Sequence, residues 1–204
     1  MDSAYVTRRL HSLTGIIPVG LFLVYHLYLQ LFLHAGADIY NAKVNSFYDS
    51  PLAIWILVFL VYLPLLFHTI LGIKLAVQAK IQPTYKHFNH LLYWLQRLSG
   101  AGVFLFIGGH LFFTKVEPML AGTWGAHWQH LNEGYHSPTA LVTKAVYVFG
   151  ILGATFHFSN GINTFCMTWG IALTAKAQDR IRSISILVFV LLTISAYYAI
   201  SAIW

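Results

Sequence analysis

Charge is scarce in this sequence: only 9% of its 204 residues are Asp, Glu, Lys or Arg, against about 25% in average globular usage. With 58% hydrophobic residues beside it, that deficit excludes a soluble fold. A single cysteine, Cys166, excludes an intramolecular disulfide, an iron–sulfur cluster and the CxxCH attachment of a c-type haem. No GxGxxG follows a strand-like run and there is no P-loop, so any nucleotide or flavin chemistry belongs to another subunit. The apolar stretches lack acids: Asp2, Asp38, Asp49, Glu117, Glu133 and Asp179 all fall in expected termini or connections. Cation and proton transporters ordinarily need an intramembrane carboxylate to neutralise their cargo, which disfavours that class. The net charge of +6 sits beside apolar runs, without the basic patch that would expect a nucleic-acid partner.

What is present is apolar length. Charge-free runs cover 10–37, 50–73, 98–114, 145–175 and 183–204, with 28, 24, 17, 31 and 22 residues. A bilayer core of about 30 Å takes roughly 17–25 apolar helical residues. The sequence therefore predicts an all-α integral membrane protein, a single domain over 1–204 with five transmembrane helices near 11–33, 51–77, 91–114, 138–168 and 183–203. The first run exceeds the apolar region of a signal peptide and is expected to be a retained span. Arg8, Arg9, Lys74, Lys80, Lys86, Arg97, Lys176, Arg180 and Arg182 flank one side and Lys43, Lys115 and Lys144 the other, which predicts a cytoplasmic N-terminus. Ser50-Pro51 and Ser137-Pro138 offer an N-cap and a first-turn proline to the second and fourth helices.

Histidine is over-supplied. Four of the eleven sit deep in four successive spans: His26, His68, His110 and His157. A lone intramembrane histidine is most often an interhelical hydrogen bond; one in each of four helices suggests paired ligands. His26 and His110 lie 17 and 13 residues beyond Arg9 and Arg97, about 25 and 20 Å from the N-terminal flank. His68 and His157 lie 17 and 19 residues beyond Pro51 and Pro138, about 26 and 28 Å from the opposite flank. Two levels some 10–15 Å apart follow from a bilayer about 40–45 Å thick, and they accommodate two stacked bis-histidine haems. A weak repeat accompanies the pairs. Arg9 and Arg97 are followed by Gly15 and Gly100, and His68 and His157 by Gly72 and Gly161 four residues on. Glycine at i+4 shares the histidine's face, where it would let a macrocycle approach or simply let helices pack. Pro64, four residues before His68, is expected to disturb that helix.

These motifs carry a resemblance. RRLHSLTGIIPVGLFLVYHL from Arg8 to Leu27, LPLLFH at 63–68, LQRLSG at 95–100 and FHFSNG at 156–161 resemble, in order, the two-haem cytochrome b subunit of bacterial succinate dehydrogenases and fumarate reductases of the Bacillus type. The resemblance spans essentially the whole chain. It implies a multi-pass anchor in the bacterial cytoplasmic membrane, bearing two b haems, that docks a flavoprotein and an iron–sulfur subunit on the cytoplasmic face. It also implies electron exchange with a quinone, usually menaquinone. His26 and His110 would hold the distal haem iron, and His68 and His157 the proximal one. Related fumarate reductases carry a glutamate where this chain has Thr155, so no transmembrane proton path is expected at that position.

Further roles are open. Arg9, His11, Arg97 and Lys74 could neutralise proximal haem propionates or serve as anchors in contact with lipid phosphates. His87 and His90 could face the iron–sulfur subunit or water. A quinone beside the distal haem would find Gln30 and His34, at i+4 and i+8 from His26, with Asp38 just beyond. These supply hydrogen-bond donors and protons, or are ordinary polar residues at a headgroup boundary. Most of the tryptophans suit interfacial belts. Two other readings remain: a different di-haem b carrier, of the b561 kind or the membrane subunit of a hydrogenase or formate dehydrogenase, and a metal transporter using histidines as transient ligands. The resemblance is also compatible with oligomerisation of the whole complex.

Overall fold

The computed structural model describes residues 3–78 and 87–204, with side-chain detail beginning at Tyr5 and resuming at His90. Asp2, Lys80 and Lys86 lie outside the described residues, as does the side chain of His87. Helices and short connections account for the described chain, which has no strand. In a bilayer core every backbone polar group must be satisfied within the segment, and long apolar helices do this.

Five helices are long and apolar enough to cross a membrane: Tyr5–Ala35, Ala53–Gln78, His90–Ala121, Ala140–Thr168 and Ala175–Ile203. Four of them extend beyond the expected spans at one or both ends, and the fourth ends at the expected residue but starts two residues later. The fifth begins at Ala175 and not near 183, because the Thr174 hydroxyl accepts the Ala177 N–H at 3.2 Å and caps the helix there. Lys176, Arg180 and Arg182 thus occupy its first turns, where a loop was expected. The fourth span ends at Thr168, well before Lys176, at a turn through Gly170 with φ of 73°, a left-handed value that glycine adopts freely. The third span runs to Ala121, which puts Glu117 in its final turns, 4.0 Å from His130.

The serine–proline starts also shift. The second span's helix begins at Ala53, with the Ser50 hydroxyl accepting the Leu52 N–H at 3.3 Å. The fourth begins at Ala140, and Ser137 donates its hydroxyl to the Gly134 carbonyl instead of capping it. Three spans contain widened π-helical turns, each at a proline: Gly15–Val19 around Pro18, Leu57–Tyr62 before Pro64, and Phe112–Val116 before Pro118. A proline supplies no N–H to the preceding turn, and the backbone accommodates the loss by widening. The fourth span is regular α-helix throughout.

Both connections at the end opposite the N-terminus, expected as loops, fold into cap helices, Ala37–Tyr48 and His127–His136. Asn41 donates to Gln129 at 2.8 Å and its carbonyl oxygen accepts the Trp128 N–H at 2.8 Å, tying the caps together. Beneath them Leu33, Tyr40, Val44, Tyr135 and Ile203 form the chief buried cluster. The bundle is therefore densely packed at that end, with a cavity between its spans.

Candidate functional site

That cavity measures about 1570 Å³ and reaches from Arg8 and Arg97 at one end to Lys115 and His127 at the other. His26, His68, His110 and His157 all line it. Pockets for drug-sized ligands occupy roughly 300–1,000 Å³, so this one has room for more than one large group.

The histidines meet in two pairs. The rings of His26 and His110 have centroids 5.7 Å apart and planes at 80°. Each stacks on a phenylalanine one turn earlier, Phe22 and Phe106, at 5.7 Å. His110 Nδ1 bonds the Tyr147 hydroxyl at 3.1 Å, and the Gln30 amide, which accepts the Tyr40 hydroxyl at 2.8 Å, lies 3.5 Å from His26 Nδ1. The second pair, His68 and His157, has centroids 6.2 Å apart and planes at 90°. His68 donates its Nδ1–H to the His11 carbonyl at 2.7 Å, and His157 donates its own to the Gln96 carbonyl at 3.1 Å. A neutral imidazole protonated on Nδ1 keeps its lone pair on Nε2, the state a metal ligand needs. Tyr147 and His157, ten residues apart on the regular fourth helix, set the two levels about 15 Å apart.

Gly72 and Gly161, at i+4 from His68 and His157, both line the cavity. A Cβ on Gly72 would stand 2.9 Å from Cε1 of His11, and one on Gly161 only 3.8 Å from Ile16 Cδ1. The glycines that seat the paired histidines are Gly15 and Gly100, where a Cβ would stand 2.4 Å from His68 Cε1 and 2.9 Å from His157 Cε1. Both belong to the repeat that follows Arg9 and Arg97; what the sequence could not show is which helix lies opposite.

The flanking cations separate. Arg97 lines the cavity while donating from Nη2 to the carbonyls of Leu75 and Ala76, at 3.2 and 2.7 Å, near the end of the second span. Cations suit the carbonyl end of a helix. Arg9 lies between the Tyr5 and Trp169 rings, 4.6 and 4.7 Å from their centroids, with a buried, unbonded Nε. It does not line the cavity, whereas Arg8 does. His11 is stacked on His68 at 3.9 Å, Lys74 is exposed, and His90 accepts the Trp94 indole N–H at 3.0 Å.

Gln30, His34 and Asp38 are not brought together. Gln30 lines the cavity, His34 donates from Nε2 to the Tyr198 carbonyl at 2.7 Å on the fifth span, and Asp38 lies on a shallow surface with Lys43 and Ser46. Lys115, which in the sequence counts only as a flanking charge, lines the cavity near the first pair, donates to the Tyr48 hydroxyl and lies 4.0 Å from that ring's centroid. The sequence did not signal Gln96 or Tyr147, whose roles depend on helix neighbours. Thr155 is buried and directs its hydroxyl to the Ile151 carbonyl and Thr193, both at 2.8 Å.

Residues 76–197 match the family described as succinate dehydrogenase/fumarate reductase transmembrane subunit. The chain is 32% identical over 196 residues to the succinate dehydrogenase cytochrome b558 subunit of Bacillus subtilis (strain 168), covering 96% of this chain and 95% of that one. It is 25% identical over 178 residues to the fumarate reductase cytochrome b subunit of Helicobacter pylori (strain J99 / ATCC 700824), covering 79% and 66%.

Proposed function

We propose a function that starts from family membership: the chain belongs to the succinate dehydrogenase/fumarate reductase transmembrane subunit family. In this reading it is a cytochrome b that anchors the flavoprotein and iron–sulfur subunits to the bacterial cytoplasmic membrane and serves succinate:quinone oxidoreduction, with menaquinone the expected quinone. The observation that carries it is the pair of facing histidine pairs in one cavity. Two imidazoles bound on opposite sides of one metal, each about 2 Å from it, have centroids roughly 6 Å apart, and the observed separations are 5.7 and 6.2 Å. Among the described residues no group of three or more His, Cys, Asp or Glu is arranged to hold a metal ion. The protein thus offers two imidazole donors per level, and the cavity would have room for a macrocycle that supplied the remaining donors.

Two haem b groups fit these residues: His26 and His110 would hold one, His68 and His157 the other. When bound they supply one-electron transfer between the two ends of the membrane. The chain's own residues do the rest. The His11 and Gln96 carbonyls hold the second pair in the ligating tautomer, Tyr147 bonds His110, and Gly15 and Gly100 give the rings room. Arg8, Arg97 and Lys115 bring positive charge to the cavity ends, where haem carboxylates would need it. Quinone would bind near the first pair, where Gln30 faces the cavity and His34 and Asp38 do not. Nine of the twelve Lys and Arg residues flank the N-terminal end, which supports a cytoplasmic N-terminus and docking of the partners on residues 1–10, 78–97 and 170–182.

The test is affinity isolation of the tagged chain from its own membranes, followed by succinate addition. Co-isolation of a flavoprotein and an iron–sulfur subunit, with a b-type α-band reduced by succinate, is the expected result. A b-type spectrum that succinate leaves untouched, with no flavoprotein present, would favour a self-contained carrier; no haem band at all would refute the cytochrome reading.

A further inference from the structure

The contacts that hold His68 and His157 are two versions of one device. On the first span His11 precedes Gly15 by one turn, and on the second His68 precedes Gly72 by one turn. His68 donates Nδ1–H to the His11 carbonyl at 2.7 Å, and His11 donates its own Nδ1–H back to the His68 carbonyl at 2.9 Å. The rings stack 3.9 Å apart at 17°. Each ring lies over the other helix's glycine, His68 over Gly15 and His11 over Gly72. The contact is a reciprocal clasp with near two-fold symmetry.

The third and fourth spans repeat it with one exchange. Gln96 precedes Gly100 by one turn, and His157 precedes Gly161 by one turn. His157 donates Nδ1–H to the Gln96 carbonyl at 3.1 Å, and the Gln96 amide donates back to the His157 carbonyl at 3.1 Å. The His157 ring lies over Gly100 as His68 lies over Gly15. Gln96 therefore stands where His11 stands. The second clasp is looser on one side: Gln96 turns its Oε1 to accept from Asn160 at 2.8 Å, and Gly161 meets Ile16 in its place.

We infer that His11 and Gln96 are positioning residues for His68 and His157, equivalent members of one clasp used twice. The inference rests on the reading of His68 and His157 as iron ligands. In each clasp the side chain at this position pins the partner helix through that helix's carbonyl. Its own carbonyl then stays in place to hold the ligand's Nδ1–H and leave Nε2 free. This gives His11 a role apart from any propionate, since its Nδ1 and its ring face are already committed. The position requires an N–H donor of the right reach, which histidine and glutamine both supply and leucine does not.

The test uses the assembled complex in membranes carrying His11→Leu, His11→Gln, Gln96→Leu or Gln96→His, with redox titration of the α-bands and EPR of the oxidised state. Loosening the carbonyl's grip on Nδ1–H makes the ligand less basic and favours reduced iron. Each leucine variant is expected to raise the midpoint potential of the component lost in His68→Ala. The shift should be at least threefold in the reduced-to-oxidised ratio at fixed potential, about 28 mV at 59 mV per tenfold, with the other component unmoved. His11→Gln and Gln96→His should keep both components within twofold of wild type. A leucine variant with both components and unchanged potentials and EPR would overturn the inference, as would equal shifts of both or failure of His11→Gln to assemble. If the leucine variants do not assemble, the His11→Gln and Gln96→His pair decides alone. A wild type lacking the His68-dependent component would instead refute the ligand reading itself, an outcome distinct from a component that ignores His11.

Discussion

A single histidine in a membrane helix says little, and the four here became informative through their depth. Counting residues from Arg9 and Arg97 put His26 level with His110, counting from Pro51 and Pro138 put His68 level with His157, and the paired rings lie at 5.7 and 6.2 Å. The first expected outcome is spectral: His26→Ala and His110→Ala should abolish one b-type component, and His68→Ala and His157→Ala the other, in reduced-minus-oxidised spectra. Loss of the same component in His26→Ala and His68→Ala would break the pairing. The glycines were less legible, because the face shared by i and i+4 says nothing of the helix opposite. Gly15→Ala puts a Cβ 2.4 Å from His68, whereas Gly161→Ala meets only an ordinary contact at 3.8 Å. Gly15→Ala should cost about 1–3 kcal/mol through overpacking, read as a lower thermal midpoint for haem release, with Gly161→Ala near wild type. Equal midpoints would show that the first span yields to the added methyl.

At the scale of elements, the five spans were readable from hydrophobic length, while the cap helices were not. Residues 37–48 and 127–136 are polar enough to read as loops; their apolar positions bury only because Leu33 and Ile203 arrive from the ends of two other spans. Helix ends moved for local reasons, as at Thr174. The caps carry a titratable joint: His127 donates from Nε2 to Asn45 Oδ1 at 3.0 Å. Burial, aided by the positive charge of Lys115 and by His130, lowers its pKa below the ordinary 6.5. The unfolded cap therefore binds a proton near pH 6.5 that the folded cap resists. Its stability is complete above pH 6.5 and declines as pH falls through 6.5 toward the folded value. Hydrogen exchange over residues 37–48 and 127–136 should accelerate between pH 7.5 and 5.5, after correction for intrinsic rates, and His127→Gln should flatten the change. An unchanged wild-type profile would mean that the joint does not govern cap opening.

Across the whole molecule, the two levels stand about 15 Å apart along the bundle, so electrons that entered at the N-terminal face and left at the capped end would cross much of the membrane. Proton uptake by quinone at the capped end would then move charge against or with the membrane potential, worth about 2.3 kcal/mol per charge per 100 mV. With the N-terminus cytoplasmic, a potential positive outside should assist succinate-to-quinone turnover. Dissipating it in sealed vesicles should slow that reaction and spare succinate oxidation by a soluble artificial acceptor; equal quinone rates would place quinone chemistry at the N-terminal end. The sequence conveyed this plan through spacing and charge, but not the cavity, whose lining comes from all five spans and both cap helices. What that cavity holds is the central claim, and haem content per chain tests it most directly. Pyridine haemochrome analysis of the purified complex, with protein determined by amino-acid analysis, should give two b-type haems per chain in wild type and one in each single histidine variant. One haem or none per wild-type chain would contradict the account.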